Sequence, residues 1–169
     1  MNNKPVFTAG RLIRLLSIVC FIIVFCPTFM VSCSGQERGI SVMTAVGGIE
    51  SYGETVVEPH PIMLVCVLLP IAVFVLFTIR KPEEKKRSTA AAGCALADLF
   101  VWMYFRLAAK RIAAQNYCDF RSTGWYVLNM ISLIGIAVLS VLIFMNRLTE
   151  DSDIAEAVSG SLTRHEKKS

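Results

Sequence analysis

The stretch AAAGCALADLFVWMYF, Ala90–Phe105, decides how the rest of the chain is arranged. Asp98 is its one charged residue, and Leu96, Leu99, Phe100, Val101, Trp102, Met103 and Phe105 cover every face of a helix built from it. A helix lying on a membrane surface should keep a polar side, so this segment reads as a spanning helix. Ser88 and Thr89 stand where a helix start takes a capping hydroxyl. Continuing the helix to about Gln115 lifts Lys110 and Arg111 into a headgroup layer while Arg106 snorkels.

Working outward, the chain of 169 residues is 54% hydrophobic and 18% charged, against roughly a quarter charged in soluble domains. The apolar residues form long blocks rather than a helical or strand period. Pro61–Ile79 is apolar throughout, begins with proline where a helix start tolerates it, and stops at Arg80 and Lys81. Trp125–Met145 carries Trp125 and Tyr126 at one end and Arg147 at the other, as interfacial anchors do. Leu15–Val31, behind Arg11 and Arg14, covers about 26 Å at 1.5 Å per residue, with Pro27 near its far end to kink or finish it.

The expected fold is therefore an all-α integral membrane protein with spans at about 15–31, 61–79, 90–105 and 125–145. Residues 1–149 form the bundle, 34–60 an outer loop and 150–169 a mobile cytoplasmic tail. With the N-terminus inside, 12 of the 17 Lys and Arg residues fall on the cytoplasmic side. If Ala90–Phe105 does not span, the same 12 to 5 division results, so charge alone does not separate four spans from three. The apolarity of that segment on all faces favours four, with both termini in the cytoplasm.

The outer loop has β-prone stretches at Ile40–Val46 and Thr55–Val57 around Gly47, Gly48 and Gly53, which fits a short hairpin over the bundle. The basic strip from Arg80 to Arg87 is drawn to anionic lipid headgroups. It is not a nucleic-acid site, because the basic residues flank apolar blocks instead of forming a face interleaved with aromatics. The tail runs from acidic (Glu150, Asp151, Asp153, Glu156) to basic (Arg164, Lys167, Lys168) and lacks the apolar content to fold alone.

Asp98 is the residue most in need of explanation, since a carboxylate within a span costs about 2.5 to 3.5 kcal/mol on insertion scales. It can relay a proton or cation, meet a partner subunit, or hydrogen-bond a neighbouring helix. No second ionisable residue lies in the spans, which favours packing. Ala90, Cys94 and Asp98 recur at four-residue spacing, as do Gly93 and Ala97, marking a face that a second backbone approaches closely. Counting depth from the inner side makes Ser140 the expected partner of Asp98, and a homomeric contact would use the same face.

Cys20, Cys26, Cys66 and Cys94 lie in apolar blocks and read as small packing residues, with no C-x-x-C pair and no zinc spacing. His60 with Glu58 falls short of a zinc ligand set. No cofactor or metal is expected. The string FMVSCS, Phe29–Ser34, resembles the end of a bacterial lipoprotein signal peptide, in which a small residue precedes the cysteine. That resemblance implies a lipidated Cys33, loss of the first helix and a bacterial plasma membrane. Three further spans behind a lipid anchor argue for a retained helix instead. Cys33 and Cys118 both face outside in the four-span arrangement, either bridged or as two free thiols.

Three function classes compete. A non-catalytic structural or accessory subunit of a membrane assembly, with itself or a membrane protein partner bound through the third helix, fits the small-residue face and the buried Asp98. A small transporter, channel or holin-like pore would use Asp98 but should show more polar residues per span. An intramembrane enzyme needs paired His, Asp or Cys groups at one depth, and the sequence offers none.

Overall fold

The computed structural model describes residues 8–33, 35–51, 54–79 and 83–149; the tail after Thr149 and the first basic residues of the inner loop lie outside them. The structure is mostly helical with a small three-stranded sheet, and three helices are long and apolar enough to cross a membrane.

Helix α1, Ala9–Ile23, starts where Thr8 accepts a hydrogen bond from the Arg11 N–H at 3.3 Å. It buries one face at three- and four-residue spacing: Ala9, Ile13, Ser17, Cys20, Ile23. The expected span at 15–31 is corrected here. The helix begins six residues earlier and stops before Pro27, which has no N–H to continue it. Phe29–Val31 then alternate as a strand, with Phe29 and Val31 buried.

Strands β1 (Phe29–Cys33) and β2 (Gln36–Ile40) form an antiparallel hairpin turned at Gly35, whose φ of 81° favours glycine. Gly39 is required for another reason: a Cβ there would lie 2.8 Å from Cβ of Pro27. Helix α2, Val42–Gly47, follows behind a reciprocal cap between Ser41 and Thr44. That cap turns part of the β-prone stretch 40–46 into helix. Strands β3 (Ile49–Ser51) and β4 (Glu54–Val57) make a second hairpin, and a 3-10 turn at Pro61–Leu64 leads into α3, Val65–Ile79. Helix α4 runs from Glu84 to Gln115 and α5 from Gly124 to Phe144, joined through strand β5, Asp119–Ser122. Strand β5 pairs with the free side of β1, with Phe29 opposite Ser122, so the sheet order is β2-β1-β5.

The long helices close a ring in which α1 packs on α3 and α5, and α4 packs on α3 and α5. The sheet caps one end. Thr123 stitches it down, donating from its hydroxyl to the carbonyls of Pro27 at 2.8 Å and Thr28 at 3.0 Å, and from its N–H to Thr28 at 2.9 Å. Arg121 on β5 donates twice to the carboxylate of Glu37 on β2, at 3.0 and 2.9 Å. Cys33 and Cys118 are joined by a disulfide.

Apolar side chains both fill the core and face outward, unlike a water-soluble bundle. Large apolar side chains face outward on all four helices, among them Ile18 and Ile22, Leu68 and Val75, Phe100 and Met103, and Ile131 and Val138. Ser17, Ser88, Asp98, Asn129, Ser132 and Ser140 are buried inside. Such outward apolar faces are compatible with lipid as solvent, where apolar exposure costs nothing.

Phe29 fills the joint between sheet and bundle. Its ring centroid lies 5.0 Å from Tyr126, 5.2 Å from Phe120, 5.5 Å from Phe105 and 5.9 Å from Trp102. Truncation leaves a cavity among four rings, so Phe29→Ala should destabilise the protein by about 3 to 5 kcal/mol. Unfolding in detergent, followed by circular dichroism, checks this; an unchanged midpoint would show that the joint is not built as described.

Candidate functional site

The rings around Phe29 form a lid, and Asp98 lies one helical turn beneath it. Trp102 and Tyr126 meet edge to face with centroids 6.1 Å apart, and the Arg106 guanidinium sits 5.3 Å from the centre of the Tyr126 ring. The Trp102–Tyr126 contact also sets the register of the antiparallel pair α4 and α5. From it, Asp98 lies about 6 Å into the bundle along α4 and Asn129 about 4.5 Å along α5, at 1.5 Å per residue. The two polar residues share one layer of the core.

Asp98 is 1% exposed. The Cys66 thiol on α3 and the Trp102 indole, one turn along α4, are polar neighbours of the carboxylate. Oδ1 of the carboxylate and Nδ2 of Asn129 have no hydrogen-bond partner. Cys20 on α1 neighbours Ser132 on α5, whose hydroxyl donates to the Leu128 carbonyl at 2.8 Å. All four helices thus contribute a polar side chain to this part of the interior.

Ser140, the expected partner of Asp98, is elsewhere. It is fully buried, but its hydroxyl has no hydrogen-bond partner. Counted from Tyr126 it lies about 21 Å along α5, level with Ser88 near the opposite end. Depth counting fails because it centres the third span on 90–105, whereas the lid fixes the register of α4 against α5 at Trp102. Asn129 is not singled out by the sequence reading. A signal for it is present, since Asn129 falls with Tyr126, Ser132, Leu133, Ile136 and Ser140 on one helical stripe.

The small residues of α4 divide between two faces. Ala91 and Ala95 line the interior with Asp98, whereas Ala90, Gly93 and Ala97 point outward. A Cβ at Gly93 would meet nothing within 4 Å. The face shared by Gly93 and Ala97 is therefore distinct from that of Asp98, and among the described residues no backbone packs closely on Gly93. Gly135 does lie at a contact, 3.1 Å from Leu16 of α1 as measured from an ideal Cβ.

Among the described residues no group of three His, Cys, Asp or Glu side chains could hold a metal ion. His60 places Nδ1 2.6 Å from the Glu58 carbonyl and turns its ring edge to Phe105. The Cys33 sulfur is bonded to Cys118, which leaves it no valence for a thioether-linked lipid. Comparison with protein-family models, curated proteins and solved structures finds no match to this chain.

The arrangement places Asp98 beside the polar groups of Cys66 on α3 and Trp102 on α4. Asp98→Asn keeps an acceptor oxygen in nearly the same place and should leave stability close to wild type. Asp98→Leu removes the polar side chain from a layer that holds the Cys66 thiol, the Trp102 indole and Asn129, and should cost about 0.6 to 2 kcal/mol of bundle stability. Detergent unfolding of the two variants checks the ranking; equal or reversed losses would refute it.

Proposed function

We propose that this chain is a four-span membrane protein with both termini in the cytoplasm, acting as a non-catalytic structural or accessory subunit of a plasma-membrane assembly. The observation that carries the reading is the lid. Trp102 and Phe29 are at most 1% exposed above Asp98, so the interior carboxylate is sealed from the sheet side, as suits a packing role and not a conduit.

Helix α1 supports the fourth span. Its 15 residues cover only about 22 Å, but it completes the ring and turns Leu15, Ile18 and Ile22 outward like the lipid-facing residues of the other helices. Bilayer thinning and the flanking Arg11 and Arg14 accommodate such a mismatch. The disulfide fits a sheet end facing an oxidising compartment, with both termini opposite. Retention of α1 is part of the proposal, since cleavage before Cys33 would remove one wall of the ring. The outward Gly93 and Ala97 on α4 are where a second copy or a membrane partner would approach.

A transporter or pore is the second reading, favoured by three polar atoms buried within the helices without partners: Asp98 Oδ1, Asn129 Nδ2 and Ser140 Oγ. Two measurements address the proposal. A reporter active only in the cytoplasm, fused after Ser169, should be active; activity restricted to an outside reporter would refute the topology. Proteoliposomes should hold proton and potassium gradients as well as empty liposomes do. A leak abolished by Asp98→Asn would put transport first.

A further inference from the structure

Beyond the lid, α4 continues from Arg106 to Gln115 and forms one wall of an open groove of about 640 Å³. The groove begins where the outward apolar face of α4 ends: Tyr104 and Leu107 are exposed on it, 56% and 67% respectively. One turn further, Lys110 and Arg111 line it, with Glu58 and His60 on the facing segment. Two cations against one carboxylate leave it net positive. The neighbouring basic residues are already engaged, Arg106 over Tyr126 and Arg121 with Glu37. Among the described residues, no ion pair reaches Lys110 or Arg111. Clustered cations at the sheet end run against the general bias of basic residues toward the opposite side, so they require a local cause.

We infer that this groove binds the headgroup of an anionic glycerophospholipid from the leaflet on the sheet side, with its phosphate against Lys110 and Arg111 and an acyl chain along Leu107 and Tyr104. Continuity with the lipid-facing band selects a lipid over a soluble anion. A tyrosine at the boundary and cations one turn beyond it match the order of chain, interface and phosphate along the bilayer normal. Glu58 accepts hydrogen bonds from headgroup hydroxyls and disfavours more highly charged phosphates. The inference rests on the membrane placement proposed above.

The test uses the full chain in nanodiscs holding phosphatidylglycerol and phosphatidylcholine in equal parts with identical acyl chains, and native mass spectrometry reads the lipid retained on release. Wild type should retain phosphatidylglycerol preferentially. Lys110→Gln/Arg111→Gln should lower that retention about tenfold or more, and Lys85→Gln/Lys86→Gln, at the opposite end, should leave it intact. Equal retention in wild type and the first variant, or loss only in the second, overturns the proposal. So does displacement of the lipid by glycerol phosphate, which would mark a site for soluble phosphate. A protein that does not enter nanodiscs at all would overturn the membrane placement itself, a result distinct from unselective lipid retention.

Discussion

Packing of the Phe29 side chain among Trp102, Phe105, Phe120 and Tyr126 is the contact on which the rest of the architecture depends. Phe29 opens β1 directly after the exit from α1, Phe120 belongs to β5, and the other three rings come from α4 and α5. One side chain thus holds the sheet to two helices, α4 and α5. The backbone follows the same logic. Leaving α1 at Ile23 frees backbone groups that need partners, and the segment that follows pairs on both sides, with β2 and with β5. The Cys33–Cys118 bridge, at a sequence separation of 85, closes this arrangement covalently, and in the chain-entropy account a loop of that size contributes on the order of 4 kcal/mol. The exposed Arg121–Glu37 pair between the outer strands contributes little beside it.

Below that joint the bundle is held by different means. In the membrane setting proposed above, outward apolar side chains are satisfied by lipid, and association of the helices draws on close packing and interhelical hydrogen bonds. The inner stripe of α4 supplies the close packing, Ala91 and Ala95 allowing approach, and sets Asp98 beside polar groups of α3 and of its own helix. An interhelical hydrogen bond is worth about 1 kcal/mol or less in membranes, so no single one holds the structure. Buried atoms left unpaired, Asp98 Oδ1 and Asn129 Nδ2 in one layer and Ser140 Oγ in another, subtract from that sum. The sheet end holds one such atom as well, Ser122 Oγ on β5.

The parts of this fold legible in the sequence are those where lipid leaves the chain no choice. Long apolar runs at 61–79 and 125–145 coincide with helices at 61–79 and 124–144, because a segment facing hydrocarbon must satisfy its backbone internally. Such runs admit one reading. Residues 24–31 admit two, since Val24, Phe25, Phe29, Met30 and Val31 suit a helix in lipid and a strand at its border equally well. Only Pro27 carries the distinction. The Ser41 and Thr44 cap is equally local and is outweighed in the sequence by β-branched neighbours. Depth is the harder quantity: without the Trp102–Tyr126 contact nothing in the sequence says which turn of α5 faces Asp98, so counting residues favours Ser140 over Asn129.

Trp102 belongs to both regions at once, and this sets a limit on what the interior can do. Its ring is part of the lid, and its indole lies beside Asp98, one turn below. Opening the lid by turning the indole would uncover the carboxylate in a core that already holds unpaired polar atoms. The sealed state is held by the ring contacts of Trp102 with Phe29 and Tyr126, and any change that exposes Asp98 to the sheet side must break them.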